Sequence, residues 1–115
     1  MDLATNLLTA AWQASALRQN TLASDIANID TPGFQFKDVS FTSALRNALA
    51  NGANPTAIKP KVVSATGIYA NDGNGVDPDK VMALLAENQV RYDVLAHEIQ
   101  MRVAQYKTAI TGVSS

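Results

Sequence analysis

A chain of 115 residues has room for one domain, and with 47% hydrophobic and 17% charged residues it is too apolar for intrinsic disorder yet low in charge for a freely soluble domain. The net charge of −1 leaves no basic footprint, which argues against nucleic acid as a partner. The absence of cysteine excludes disulfides, thiolate catalysis and thiolate metal sites.

The start, Met1-Asp2-Leu3, has no basic n-region and no apolar h-region after it, so no cleavable secretory signal is expected. The longest apolar runs, such as Val81 to Ala86, are too short to span a bilayer. The chain is expected to be cytosolic or to leave by a route that reads an uncleaved N-terminus.

Residues 1–29 read as an N-terminal core helix. Leu3, Leu7, Ala10, Ala14 and Leu17 recur at four-three spacing, the period of a coiled-coil seam. A second stripe of Leu8, Trp12, Ser15, Gln19, Leu22, Ile26 and Ile29 keeps that spacing one position round, and the seam is expected to pass to it beyond Leu17. Only Asp2, Arg18 and Asp25 carry charge here. A helix facing water normally carries a charged stripe, so this one is expected to be covered by neighbouring subunits.

Residues 30–76 change texture. Pro32 disfavours helix at Thr31, and Thr31-Pro32-Gly33-Phe34 suits a type II turn, with Gly33 supplying the positive φ. Phe34, Phe36, Val39 and Phe41 then predict a segment that folds back onto a helix. A short helix is expected from Thr42 to Ala50, with Ala44, Leu45, Ala48 and Leu49 on one face and Asn51-Gly52 as the stop. Prolines and glycines break the periodicity after Ala53, leaving a loop or flap. Short extended pieces are expected at Lys61-Val62-Val63 and Gly67-Ile68-Tyr69.

Residues 77–115 read as the C-terminal core helix. Asp77 caps it, Pro78 takes the first helical position, and the helix runs to about Thr111. Val81, Leu85, Asn88, Tyr92, Leu95 and Ile99 form one stripe, continued by Val103, Tyr106 and Ile110. Glu87 with Arg91 and Glu98 with Arg102 make favourable i,i+4 pairs on the other side, expected as a separate paired-charge face. At about 1.5 Å per residue it is on the order of 50 Å long, more than a compact domain of this size needs. The fold expected is all-α and a single domain: two long terminal helices in an antiparallel coiled-coil-like hairpin, joined by a short helix and a partly extended middle. Such a hairpin buries one stripe per helix, a small core that argues for self-association.

Catalytic chemistry finds little support. His97, the only histidine, lies four residues after Asp93 and reads as a surface or interface residue, because no second histidine or cysteine exists to complete a site. Asp72-Gly73-Asn74-Gly75-Val76-Asp77 resembles the start of a calcium loop but fails at Val76, Asp77 and Ala83, so a tight turn is expected. No nucleophile–base pair can be assembled, and neither an enzyme nor a cofactor is expected.

Two motifs carry a resemblance. The run Leu22-Ala23-Ser24-Asp25-Ile26-Ala27-Asn28-Ile29-Asp30-Thr31-Pro32-Gly33-Phe34 resembles the signature near the N-terminus of flagellar rod and hook proteins. Asp72 to Asp77, followed by Ala86-Glu87-Asn88-Gln89-Val90-Arg91-Tyr92 and Lys107-Thr108-Ala109-Ile110, is similar to the proximal-rod subunits of that family. Departures stand at Ser24 and Asp25 (usually an Asn pair), Phe34 (Tyr), Gly75 (Asn) and Val81 (Glu).

The resemblance implies export through the flagellar type III apparatus without cleavage. It implies polymerisation into a helical tube in the periplasm, at the rod base beside the membrane-ring junction, to transmit torque. Implied partners are copies of the chain itself, other rod subunits, the rod–membrane-ring junction protein and the export apparatus. Subunit packing would then rest on Leu3, Leu7, Leu8, Trp12, Leu17, Leu22, Ile26, Ile29, Leu85, Asn88, Tyr92, Leu95, Ile99, Val103, Tyr106 and Ile110. The turn of Asn28, Thr31, Pro32, Gly33 and Phe34 would set the exit of the chain from the inner layer. The charge-poor N-terminal helix suits full enclosure, and the C-terminal one the layer around it. The rival readings are another proximal-rod subunit, which would lack the pattern from Glu87 to Tyr92, and a small secreted helical-hairpin adaptor. Such adaptors often place a Trp-x-Gly at the central turn, whereas Trp12 lies inside the first helix.

Overall fold

The computed structural model describes residues 2–65 and 76–112. Helix α1 spans Leu3–Ala27. Asp2 caps it, its Oδ1 accepting the Thr5 backbone N–H at 2.8 Å. The helix closes earlier than its apolar stripe does. Asn28 Nδ2 donates to the Ser24 carbonyl at 2.8 Å, and the Asn28 backbone N–H reaches Ser24 O and Asp25 O at 3.1 and 3.2 Å. Ile29 packs on the core from the turn that follows. Gly33 then has φ 73°, and the Phe34 N–H donates to the Thr31 carbonyl at 3.3 Å, the type II turn expected of Pro32-Gly33.

The chain next folds back as strand β1, Lys37–Ser40. Helix α2 follows at Thr42–Ala50. Ala48 is its buried residue and Leu45 is half-buried, while Ala44 and Leu49 face outward, so the covered face is narrower than the sequence implied. The Ala53 N–H reaches back to the Ala48 carbonyl at 2.8 Å with Gly52 at φ 72°, a Schellman stop. A 3₁₀ turn at Pro55–Ala57 rests on α1, with Pro55 buried. Strand β2, Lys61–Ser64, pairs antiparallel with β1, Lys37 opposite Ser64 and Ser40 opposite Lys61. The piece expected at Lys61-Val62-Val63 is thus a strand; Gly67-Ile68-Tyr69 and Asp72 to Gly75 lie outside the described residues.

Helix α3 spans Pro78–Thr111, 34 residues, with Asp77 Oδ1 accepting the Asp79 N–H at 3.0 Å and Pro78 in the first turn. It runs antiparallel to α1 and makes the molecule an elongated body of 64 × 31 × 18 Å. The core sits at one end of this hairpin. Leu22, Phe36, Ala65 and Val81 are buried there, with Ile26, Ile29, Phe34, Val76, Leu84 and Leu85 packed around them. Phe34 and Phe36 meet edge-on at 5.2 Å. The architecture is the mainly α-helical hairpin expected, with one small two-stranded sheet closing its core end.

Candidate assembly surfaces

The seam between α1 and α3 uses the second stripe of α1 earlier than expected. Trp12 already meets Tyr92, their rings 5.6 Å apart and tilted by 32°, so the stripe does not wait for Leu17. Further along, Asn88 Nδ2 donates to the Ser15 carbonyl at 2.9 Å and to Gln19 Oε1 at 2.8 Å. Gln19 Nε2 donates to Gln89 Oε1 at 2.8 Å. Leu22 opens the apolar end of the seam with Val81 and Leu85. At the opposite end the Asp2 N–H donates to the Tyr106 hydroxyl at 3.4 Å.

Two of the three charges of the N-terminal segment turn inward to hold β1. Arg18 Nε and Nη2 donate to Asp38 Oδ1 and Oδ2 at 2.8 and 3.2 Å, a fork on a carboxylate. Asp25 Oδ1 accepts the Lys37 backbone N–H at 3.0 Å, and Asp25 is buried. The aspartate that departs from the family signature is therefore an anchor for the returning strand. Beyond it α2 stands off the hairpin, leaving a cleft of about 310 Å³ lined by Ala14, Arg18, Val39, Phe41, Leu45 and Asn88 among others.

The residues named for subunit packing fall into three groups. Leu22 and Asn88 are fully buried within the chain. Leu7, Leu8, Trp12, Leu17, Ile26, Ile29, Leu85, Tyr92, Leu95, Ile99 and Val103 are half-buried. Leu3, Tyr106 and Ile110 are exposed, Leu3 at 58% and Ile110 at 78%. In the signature turn Thr31, Pro32 and Gly33 are exposed, while Asn28 and Phe34 are half-buried.

The sequence reading missed a second apolar stripe on α3. Ala86, Val90, Val94, His97, Met101, Ala104 and Thr108 recur every three or four residues and are all exposed, Val90 at 63% and Val94 at 55%. They face away from the seam residues Asn88, Tyr92, Leu95 and Ile99. The signal was present, because Val90, Val94 and Met101 keep the four-seven spacing of the inner stripe. It was hidden by reading the outer side as paired charge. Glu87 and Arg91 do pair there at 3.3 Å. Arg102 instead lies beside Asp2 and Tyr106, where the ends of the two helices meet. On α1, the exposed Gln13, Asn20, Ala23, Ser24 and Ala27 carry no charge. Both helices of the hairpin thus present an outward face without a charged stripe.

No helix among the described residues is long and apolar enough to cross a membrane. Residues 6–35 match the model of the family described as "Flagella basal body rod protein". That stretch carries most of α1, including Arg18, Leu22 and Asp25, and the Pro32-Gly33 turn, and it ends before β1. The chain is 32% identical over 111 residues to the flagellar basal body rod protein FlgB of Bacillus subtilis (strain 168), covering 84% of each. It is 33% identical over 112 residues to FlgB of Yersinia enterocolitica, covering 80% of this chain and 82% of that one. To FlgB of Escherichia coli (strain K12) it is 30% identical over 114 residues, covering 82% and 83%. With likeness running through both terminal helices and the turn between them, the chain belongs to the FlgB family of flagellar basal body rod proteins, structural subunits of that rod.

Proposed function

We propose that this chain builds the proximal rod by packing the outer faces of α1 and α3 against copies of itself and against adjoining rod subunits. It transmits torque and performs no chemistry of its own. The observation that carries this reading is the exposed stripe from Ala86 to Thr108, mainly apolar with Val90, Val94 and Met101 at its middle and set opposite the hairpin seam. A stripe on α3 that meets a different, uncharged face on α1 of the next copy makes a heterologous contact. Repeated contacts of that kind build open helical assemblies rather than closed dimers. Membership of the rod family supports a periplasmic site at the rod base, contact with the rod–membrane-ring junction, and delivery by the flagellar type III apparatus without cleavage.

The double variant V90D/V94D tests the assembly face. Both side chains are exposed, so folding stability should change by no more than about 0.5 kcal/mol per site. Circular dichroism of the monomer should be unchanged. In a strain carrying the variant as its sole copy, motility should be lost and purified basal bodies should show membrane rings without a rod. Glu87→Ala, which removes only an exposed ion pair, should leave both intact. Normal rods in the V90D/V94D strain would remove this stripe from the assembly surface.

A further inference from the structure

We propose that Asn88 fixes the register in which α1 and α3 pair. Four-three spacing repeats every heptad, so sliding one helix past the other by seven residues returns apolar side chains to apolar surroundings. The link between the helices runs from Asn28 to Asp77 and is too long to prescribe one alignment by its length. The sheet contributes no polar selection either: its side-chain anchors, Arg18 and Asp25, both lie on α1, and among the described residues it meets α3 through the apolar packing of Phe36 and Ala65 on Val81, which a shift by one heptad would replace with Asn88. Something in the seam must select the register.

The seam contains one layer that does not repeat. Asn88 is fully buried between apolar neighbours along α3, with Val81 and Leu85 before it and Tyr92 and Leu95 after it. It faces Ser15 and Gln19, the two polar positions of the α1 stripe. Gln19 Oε1 accepts from Asn88, Gln19 Nε2 donates to Gln89 Oε1, and Gln89 Nε2 donates to Asp93 Oδ1 at 3.1 Å. Gln19 and Gln89 each accept on one side and donate on the other, and the row that Asn88 starts as a donor ends on a carboxylate. A slip of one heptad would set Asn88 against Leu22 and Ile26, or against Leu8 and Trp12, where no side-chain acceptor waits. A buried amide that exchanges the Gln19 acceptor for Ile26 or Trp12 is destabilised, even where a backbone carbonyl of α1 still reaches it as that of Ser15 does. Asn88 Oδ1 has no hydrogen-bond partner even in the observed register, so the residue sacrifices stability for alignment. That is the known use of a single polar residue in a coiled-coil seam.

The register decides which side chains the hairpin presents outward, and it can be read directly. The chain has no cysteine, so spin labels can be placed at A23C and K107C, both exposed and near opposite ends of the hairpin. The unaltered seam should give one interlabel distance. N88L should keep or raise the denaturation midpoint and split the distances into two populations about 10 Å apart, the rise of seven helical residues. N88A, which cannot overfill the seam, should split them in the same way. A single distance equal to that of the unaltered seam in both variants would overturn the proposal, whatever their stability. So would a chain with Asn88 in place that already shows two.

Discussion

Leu22→Ala lowers the unfolding free energy of the monomer by about 3 kcal/mol, and Leu22→Asp leaves no folded hairpin. Leu22 is fully buried at the point where α1, β1 and α3 converge, touching the cluster of Phe36, Ala65 and Val81. Truncating a leucine at such a site loses its transfer free energy and leaves a cavity that rigid helices cannot close. The cost is about 2–5 kcal/mol. A chain of this size carries about 5–15 kcal/mol in all, so one buried aspartate there is enough to unfold it. Leu3→Ala, at the exposed start of the same helix, should change stability by about 0.5 kcal/mol or less. Urea titrations followed by circular dichroism separate the two. Equal losses at Leu3 and Leu22 would show that the core does not lie where the structure puts it. The comparison also bears on assembly. A motility defect from Leu22→Asp, or from Ile99→Asp in the half-buried seam, reports failed folding before it reports failed packing between copies. Val90 and Val94 are free of that ambiguity.

What the sequence made legible was the local punctuation and the inner stripes. Asp77-Pro78, Asn51-Gly52 and Pro32-Gly33 act on hydrogen bonds within five residues of themselves, so their outcome depends on little else. The α3 seam was legible because its period persists from Val81 to Val103. The anchors of β1 were not, since nothing near Arg18 in the sequence points to Asp38, nor near Asp25 to the backbone of Lys37. An ion pair between segments that far apart is decided by the return path of the chain, and the aromatics from Phe34 to Phe41 predict a return onto a helix without saying which side chains it brings together. Ile110 shows the converse failure. It keeps the seam period, but the start of α1 meets α3 at Tyr106, and Ile110, one turn further on, is 78% exposed. Periodicity tells which side of a helix is apolar; where its partner ends is a fact of register. The outer stripe was overlooked for a related reason. Glu87 and Arg91 occupy one edge of the outward side and mask, in the sequence, a face whose middle is Val90 and Val94.

Breaking the Arg18–Asp38 fork from one side should cost more than removing both partners. The Arg18 and Asp38 side chains are 18% and 10% exposed, so removing one leaves the other a poorly hydrated charge that has lost the fork, although Asp38 Oδ1 still accepts the Val39 N–H. Arg18→Met or Asp38→Asn should each destabilise by about 2–3 kcal/mol, below the range for fully buried pairs because water still reaches the edge of the fork. The double variant R18M/D38N should recover part of this, with a coupling energy of about 1–2 kcal/mol between the sites. The loss should be uneven across the molecule. Leu22, Val81 and the Asn88 layer hold α1 to α3 without help from β1. The strand, in contrast, is only four residues long, and the cleft under α2 gives it little support beyond its packing on α1. Hydrogen exchange should therefore show protection lost in Lys37–Ser40 and Lys61–Ser64 while the amides of α3 stay protected. If R18M left β1 protected, Asp25 alone would be the anchor. If it unfolded α3 as well, the sheet would be integral to the hairpin rather than a flap pinned to one face of it by Arg18.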